Sequence, residues 1–444
     1  GFMSDEWLDA VEHILDTAEG LGLEVWIWDD WIFPSGFGGG EVTREGEHRA
    51  KKVRIAIDVV LQPGDRFECA VPPRALAAGV APVDFFNNPC GEFVRLACPA
   101  GGRVCRQART HERLVIAVWD ELTAMQHTVR LGAQRMSDNP DERCDIYTSC
   151  DRDVFSVDML DAGGTRKFTQ LVHDRYWQRC RRHFGKTLKG FFYDEPGMGT
   201  WWPWNPDLPE RFRREKGYDL LDHLVPILVE HRMCDVFFDI QPEAVKQAKA
   251  DYVDVWTTMA ADSFFGVLRT WCREHGVLSA GHLNHDDTPA TQIGSGGMFF
   301  KNMAQTDVPG IDLIFDQVQP GRFNDAPRLA GSAGRVAGKP VVLSESFSAM
   351  GLSLCPDRLR FVAEHQIVRG INRIFSAIAN YNPTRAFFYH PPEVSAANPL
   401  IAAYGDLLNG RIARTCALLS GGGPVDRWAV YLPAANYLRG EASF

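Results

Sequence analysis

Gly190-Phe191-Phe192-Tyr193-Asp194-Glu195-Pro196-Gly197 is an apolar run too short for a helix, ending on two acids and a strand-breaking Pro-Gly. About 150 residues later, Pro340-Val341-Val342-Leu343-Ser344-Glu345-Ser346-Phe347 repeats the arrangement. Each reads as a buried parallel strand with a carboxylate at its C-terminal end, the edge where barrel enzymes collect their functional side chains. Working outward, further strands are expected at Leu23–Trp28, Val154–Met159, Val277–Ala280, Ile311–Phe315 and Ile371–Ile374. Helical patterns lie between them: Ser4–Gly22 with Ser4 as N-cap, Gly164–Phe184, Pro242–His275, Pro356–Arg369 and Asn398–Leu419. Seven strands alternating with helices, and one more expected before the opening helix, predict an α/β fold, a (β/α)8 TIM barrel whose first strand is missing.

The rhythm breaks between residues 45 and 140. Val53–Leu61, Phe67–Val71, Phe93–Ala97 and Leu114–Trp119 are β-like runs divided by Pro and Gly. The expected organisation is a catalytic barrel from residues 1–44 and 141–420, a small β module inserted at 45–140, and a linker at 421–444 leading into a further, truncated domain.

Composition narrows the function. The chain has 444 residues, 45% hydrophobic and 23% charged, the balance of a globular protein. No stretch reaches the roughly 18 uninterrupted apolar residues of a membrane span. A net charge of −10 with no basic stripe argues against a nucleic-acid partner and leaves a neutral, polar substrate such as a carbohydrate. Eleven cysteines without CxxC or regular spacing fit free thiols in a reducing compartment, so a cytoplasmic location is expected. Oligomeric state is not legible.

Two carboxylates on one barrel rim are what cleavage of a glycosidic bond needs, one as proton donor and one as base or nucleophile. Glu195 is expected as the general acid, raised by a partly apolar mouth, and Glu345 as its partner. Asp194 supports Glu195 or binds a sugar hydroxyl. Ser344 and Ser346 face the other way in an extended chain. The stretch Gly281-His282-Leu283-Asn284-His285-Asp286-Asp287 closes another strand, and His282, Asn284 and Asp286 suit sugar hydroxyls. Trp28-Asp29-Asp30-Trp31, followed by a Gly-rich loop, ends the first strand; it fits no phosphate-loop fingerprint. Asp29, Asp30 and Trp31 are therefore read as substrate contacts, the two aspartates taking sugar hydroxyls or, alternatively, a cation. Trp202, between Trp201 and Pro203, is read as a wall for the apolar face of a sugar. Asp316, ending the Ile311 strand, is a third carboxylate, and His390 in a late loop is a further lining residue. Two other readings stay open: a carbohydrate-binding barrel without catalysis, and a metal-dependent lyase or hydrolase using His282, His285 and an aspartate.

The ordered set WDDWIFPSGFGGG (28–40), VDMLDAGGTRKF (157–168), GKTLKGFFYDEPG (185–197), RFRREKGYDL (211–220), WCREHGVLSAGH (271–282), PGIDLI (309–314), LSESFSAMG (343–351) and VRGINRI (368–374) resembles the large bacterial α-L-rhamnosidase-like glycoside hydrolases, relatives of glycoside hydrolase family 106. The resemblance covers roughly residues 1–440 outside the β insertion. It implies a catalytic barrel with an inserted β module, inverting hydrolysis of an α-L-rhamnoside, and calcium as a possible cofactor; the residues themselves establish no cofactor and no metal ligand.

Overall fold

The structure, a computed structural model, describes residues 1–31, 34–122, 155–229, 242–286, 289–314, 317–321, 324–348, 350, 355–377, 398–422 and 429–431. Asp316 and His390 lie outside the described residues. The chain divides into two compact units, one drawn from residues 1–48, 123–199 and 260–429, the other from 49–122, 200–259 and 430–444. Residues 200–259, read from the sequence as barrel, thus group with the β module.

The first unit is built on a six-stranded sheet in the order Val25–Trp28, Leu188–Tyr193, Leu278–Gly281, Val308–Leu313, Leu343–Ser346, Arg373–Ser376. Every neighbouring pair is parallel, and each strand lies beside its predecessor. Helices fill the connections, among them Ala162–Leu171, capped by the Asp161 carboxylate, then Pro289–Ser295, Ala326–Val336 and Pro356–Ile367. Consecutive parallel strands with helical crossovers are the repeating unit of a βα barrel. The sheet curls: Phe375 on the last strand comes within 6.2 and 6.0 Å of the Trp26 and Trp28 rings on the first. Among the described residues no backbone ladder joins these two edge strands, so what is seen is a curled parallel half-barrel and not the eight-stranded closure expected. The expected strand at 154–159 is one reason. Only isolated bridges form at residues 155 and 157. The Asp158 carboxylate then accepts the Leu160 N–H at 2.9 Å and turns the chain toward the next helix.

Two expected strands are displaced. The second-last begins at Leu343 rather than Pro340, which places Glu345 within the strand. The strand expected at Ile311–Phe315 runs Val308–Leu313. The expected helix at Pro242–His275 is continuous but contains a π-helical turn, Ala261–Phe265; Phe265 packs edge-on against Tyr193 at 5.3 Å.

Gly281, paired with Tyr193, has φ +148° and leaves no room for a side chain: a Cβ would lie 2.2 Å from the Tyr193 carbonyl oxygen. Gly281→Ala is expected to lose roughly 2–4 kcal/mol of stability, from strain and clash together. Urea unfolding checks this, and an unchanged midpoint would show that the two strands can separate freely.

The second unit holds a five-stranded sheet in the order Val94–Leu96, Ala75–Pro82, Glu112–Glu121, Lys51–Leu61, Pro203–Trp204, and a two-stranded ribbon, Arg66–Ala70 with Arg103–Gln107. Ala75–Pro82 escaped the sequence reading because alanine and glycine are poor strand formers. They fit here because the sheet is covered closely: a Cβ on Gly79 would meet Val225 of helix Leu220–Leu228 at 3.4 Å. Trp202 belongs to this unit, its ring edge-on to Tyr252 at 5.4 Å. No helix among the described residues is long and apolar enough to cross a membrane.

Candidate active site

Side chains alternate across a strand, so a residue two beyond an inward-facing one also faces inward. Phe192, Ala280, Val308 and Leu343 form a buried cluster flanked by Trp26 and Phe375. Two residues beyond Phe192 stands Asp194, beyond Ala280 His282, and beyond Leu343 Glu345. Asp312 follows from Val308 by two such steps, and Asp30 from Trp28, whose ring lies 4.1 Å from Phe192. The apolar layer is thereby topped by a polar one at the C-terminal ends of the strands. Asp312 and Glu345 are direct neighbours in register. Ser344 and Ser346 take the opposite parity: their hydroxyls lie 2.9 Å apart, and the Gln366 amide donates to Ser346 Oγ at 3.0 Å.

Glu195 has the wrong parity to join this layer in an extended chain. Its backbone leaves the strand conformation with φ +43°, unusual for a residue with a side chain. The Asn284 amide then donates to Glu195 Oε2 at 2.7 Å. Glu195, His282 and Asp312 each place a ligating atom within 4.8 Å of the others, as do Asp194, His282 and Glu345. His282 joins the two sets. Its Nε2 lies 3.2 Å from Glu345 Oε2 and 3.3 Å from Asp194 Oδ1, and its side chain is only 1% exposed. The two glutamates, remote in sequence, therefore converge on one imidazole.

The surrounding residues fix this layer. Asp286 Oδ2 accepts the Asp312 N–H at 2.9 Å. Asp29, expected to contact substrate, is fully buried and has a scaffolding place instead: it accepts the Ser35 hydroxyl at 2.6 Å and faces His173 Nε2 at 3.2 Å. Ser35 in turn accepts the Asp194 N–H at 2.8 Å and donates its own N–H to the Asp194 carbonyl at 2.9 Å, tying the 29–35 loop to the acidic strand end. Trp31 stacks on Phe2 at 5.3 Å, away from the inward direction taken by Asp30.

Crowding of acids sets the electrostatics. Burial, then the Asp194 charge, pushes Glu195 up to about 8. Burial with Asp194 and Asp29 does the same to Asp30. Burial also raises Asp312 well above the carboxylate range; His282 opposes this, while Glu345 and Glu195 add to it. For His282, burial lowers the imidazole, but hydrogen bonds to Asp194 and Glu345 outweigh it and hold the ring well above its ordinary value. The site thus has both protonated and ionised groups near neutral pH.

The family model of glycoside hydrolase family 106, described as alpha-L-rhamnosidase, matches residues 148–386, more than half of the chain. The chain belongs to this family. The matched span contains Asp194, Glu195, His282, Asn284, Asp286, Asp312 and Glu345, and leaves out Asp29 to Trp31. The solved structure of a rhamnosidase from Novosphingobium sp. PP1Y is similar in fold, with a TM-score of 0.57 and 16% identity, over 95% of this chain and 55% of that one. This family 106 chain therefore spans about half the length of that rhamnosidase. No curated protein matches it.

The calcium implied by the resemblance can be tested on the donors. Calcium takes roughly six to eight oxygens. Each close set around His282 offers two carboxylates and an imidazole nitrogen, a poor calcium ligand. Among the described residues, neither set by itself offers the number of oxygens that calcium takes. His285, offered by the sequence as a possible metal ligand, is exposed and joins none of the close sets among the described residues. Asp312 is the residue that the sequence reading undervalued. Its Oδ1 is buried without a hydrogen-bond partner, directly beside Glu195 and His282.

Proposed function

We propose that this chain carries the catalytic centre of an α-L-rhamnosidase-type glycoside hydrolase, set in a (β/α)8-type barrel of which the six-stranded parallel sheet is part. The convergence of Glu195 and Glu345 on His282 carries this reading, and family membership supports it. Glu195, held protonated near neutral pH, gives its proton to the glycosidic oxygen as the bond from that oxygen to the anomeric carbon breaks. Glu345 takes a proton from the water that attacks the anomeric carbon, and the sugar leaves with a new hydroxyl. If the two carboxyl groups close to about 5–5.5 Å around substrate, Glu345 acts as nucleophile and configuration is retained; at about 6.5–9.5 Å a water fits between and configuration inverts. Asp30, Asp194, Asn284, Asp286 and Asp312 supply acceptors and donors for sugar hydroxyls, and His390 is proposed as a further contact.

A panel of chromogenic glycosides that includes an α-L-rhamnoside tests the proposal. Cleavage of the rhamnoside is expected, and a chain that cleaves no glycoside at all would overturn it.

The general acid must be protonated to act, so kcat/KM should fall as pH rises through about 8, the value to which burial and Asp194 push Glu195. A pH–rate profile checks this; a flat profile from pH 7 to 10 would remove Glu195 from the role.

A further inference from the structure

The two glutamates meet different partners, and the difference lies in one side chain. Glu345 faces an imidazole, with His282 Nε2 3.2 Å from its Oε2. Glu195 faces a carboxamide, with Asn284 Nδ2 2.7 Å from its Oε2. A hydrogen bond from a cation favours the charged form of a carboxylate far more than one from a neutral amide does. His282 also has little of its side chain open to a sugar, and its Nδ1 is buried with no hydrogen-bond partner among the described residues. Its side chain is 1% exposed, and its Nε2 is already shared between Glu345 and Asp194. The groups facing it come from every adjoining strand end: Asp194 and Glu195 from one neighbour, Asp312 from the other, and Glu345 from the strand beyond. The Phe192 ring closes the remaining side edge-on at 5.6 Å.

We propose that His282 is a positioning residue that gives the two glutamates their different roles, pinning Glu345 and Asp194 through its Nε2–H and leaving Glu195 to Asn284. This rests on the reading of Glu195 as acid and Glu345 as base. In the charged state His282 is the cation at the centre of an otherwise acidic layer, and it opposes the upward push on Glu195. Removing that charge should therefore let Glu195 rise further, which moves the alkaline limb of the pH–rate profile upward.

The experiment compares His282→Ala and His282→Gln with the full wild-type chain on an alkyl α-L-rhamnoside, whose leaving oxygen needs the Glu195 proton. His282→Ala is expected to lower kcat by about 10²-fold or more, with KM changed less than about threefold. His282→Gln, which keeps an N–H donor without the charge, should recover part of kcat and shift the alkaline limb up by about one pH unit. A side chain that binds sugar would instead raise KM and leave the limb in place, and that result overturns the proposal. Nitrogen-15 NMR of the histidine rings in the wild type gives a measurement independent of turnover and of variant folding. An imidazolium at pH 7 is expected for His282, and a neutral ring overturns the proposal even if both variants fail to fold. A wild type that hydrolyses the rhamnoside while His282→Gln behaves identically removes only the role of His282. A wild type that cleaves no glycoside removes the hydrolase reading itself.

Discussion

Glu195→Gln is expected to lower kcat by about 10³-fold on alkyl glycosides, whose leaving oxygen needs a proton, and far less on aryl glycosides with acidic leaving groups. The amide keeps the size of the side chain, and its carbonyl oxygen can still accept from Asn284, so the pocket should stay in place. Steady-state kinetics on two substrates that differ only in leaving group make the measurement. Equal loss on both would mean that Glu195 does something other than protonate the leaving oxygen. The same variant has a stability signature. The folded value of Glu195 is raised to about 8, above that of an unfolded glutamate. Its contribution is therefore fully present below about pH 4 and is lost as pH rises through about 8. Glu195→Gln has no proton to lose, so relative to wild type it should gain stability on going from pH 4 to pH 9.

Glu345→Gln should lower kcat by about 10³–10⁴-fold whatever the leaving group, because activation of water or attack on the anomeric carbon is required for every substrate. Isothermal titration with the free sugar is expected to show affinity within a few-fold of wild type. The backbone at Glu345 is held on both sides by register with Asp312 and Phe375, so the variant should fold. A loss confined to poorly activated substrates would exchange the roles of the two glutamates, and near-normal turnover would remove Glu345 from the chemistry.

Much of this layer was legible in the sequence because alternation is a strict rule. An inward aromatic or aliphatic residue followed two positions later by a polar one describes Trp28 and Asp30, Phe192 and Asp194, and Leu343 and Glu345. Asp312 was passed over for a physical reason. Pro309 lies in the strand, where proline usually marks an edge or an end, so the expected strand began at Ile311 and pointed to Asp316. In the structure the strand starts at Val308, and Pro309 pairs with Gly281. Glu195 was identified from its neighbours, but nothing in its residue type announces φ +43°. Asp29 and Asp30 are chemically identical and adjacent. Only the register of the first strand decides that Asp29 binds Ser35 while Asp30 follows the inward parity. Trp202 shows the limit of composition: a tryptophan between Trp201 and Pro203 suggested a wall, and which compact unit it joins depends on long-range packing that no local pattern encodes.

The left-handed backbone at Glu195 has an evolutionary corollary. A glycine or asparagine would sit there with less strain, and replacing a half-sequestered acid with either would also relieve crowding among its neighbours. Selection for robustness alone should therefore push this position away from glutamate. Its retention in a working enzyme would record continuous purifying pressure from turnover. A lineage that kept the scaffold for binding only should lose Glu195 before it loses the apolar floor beneath.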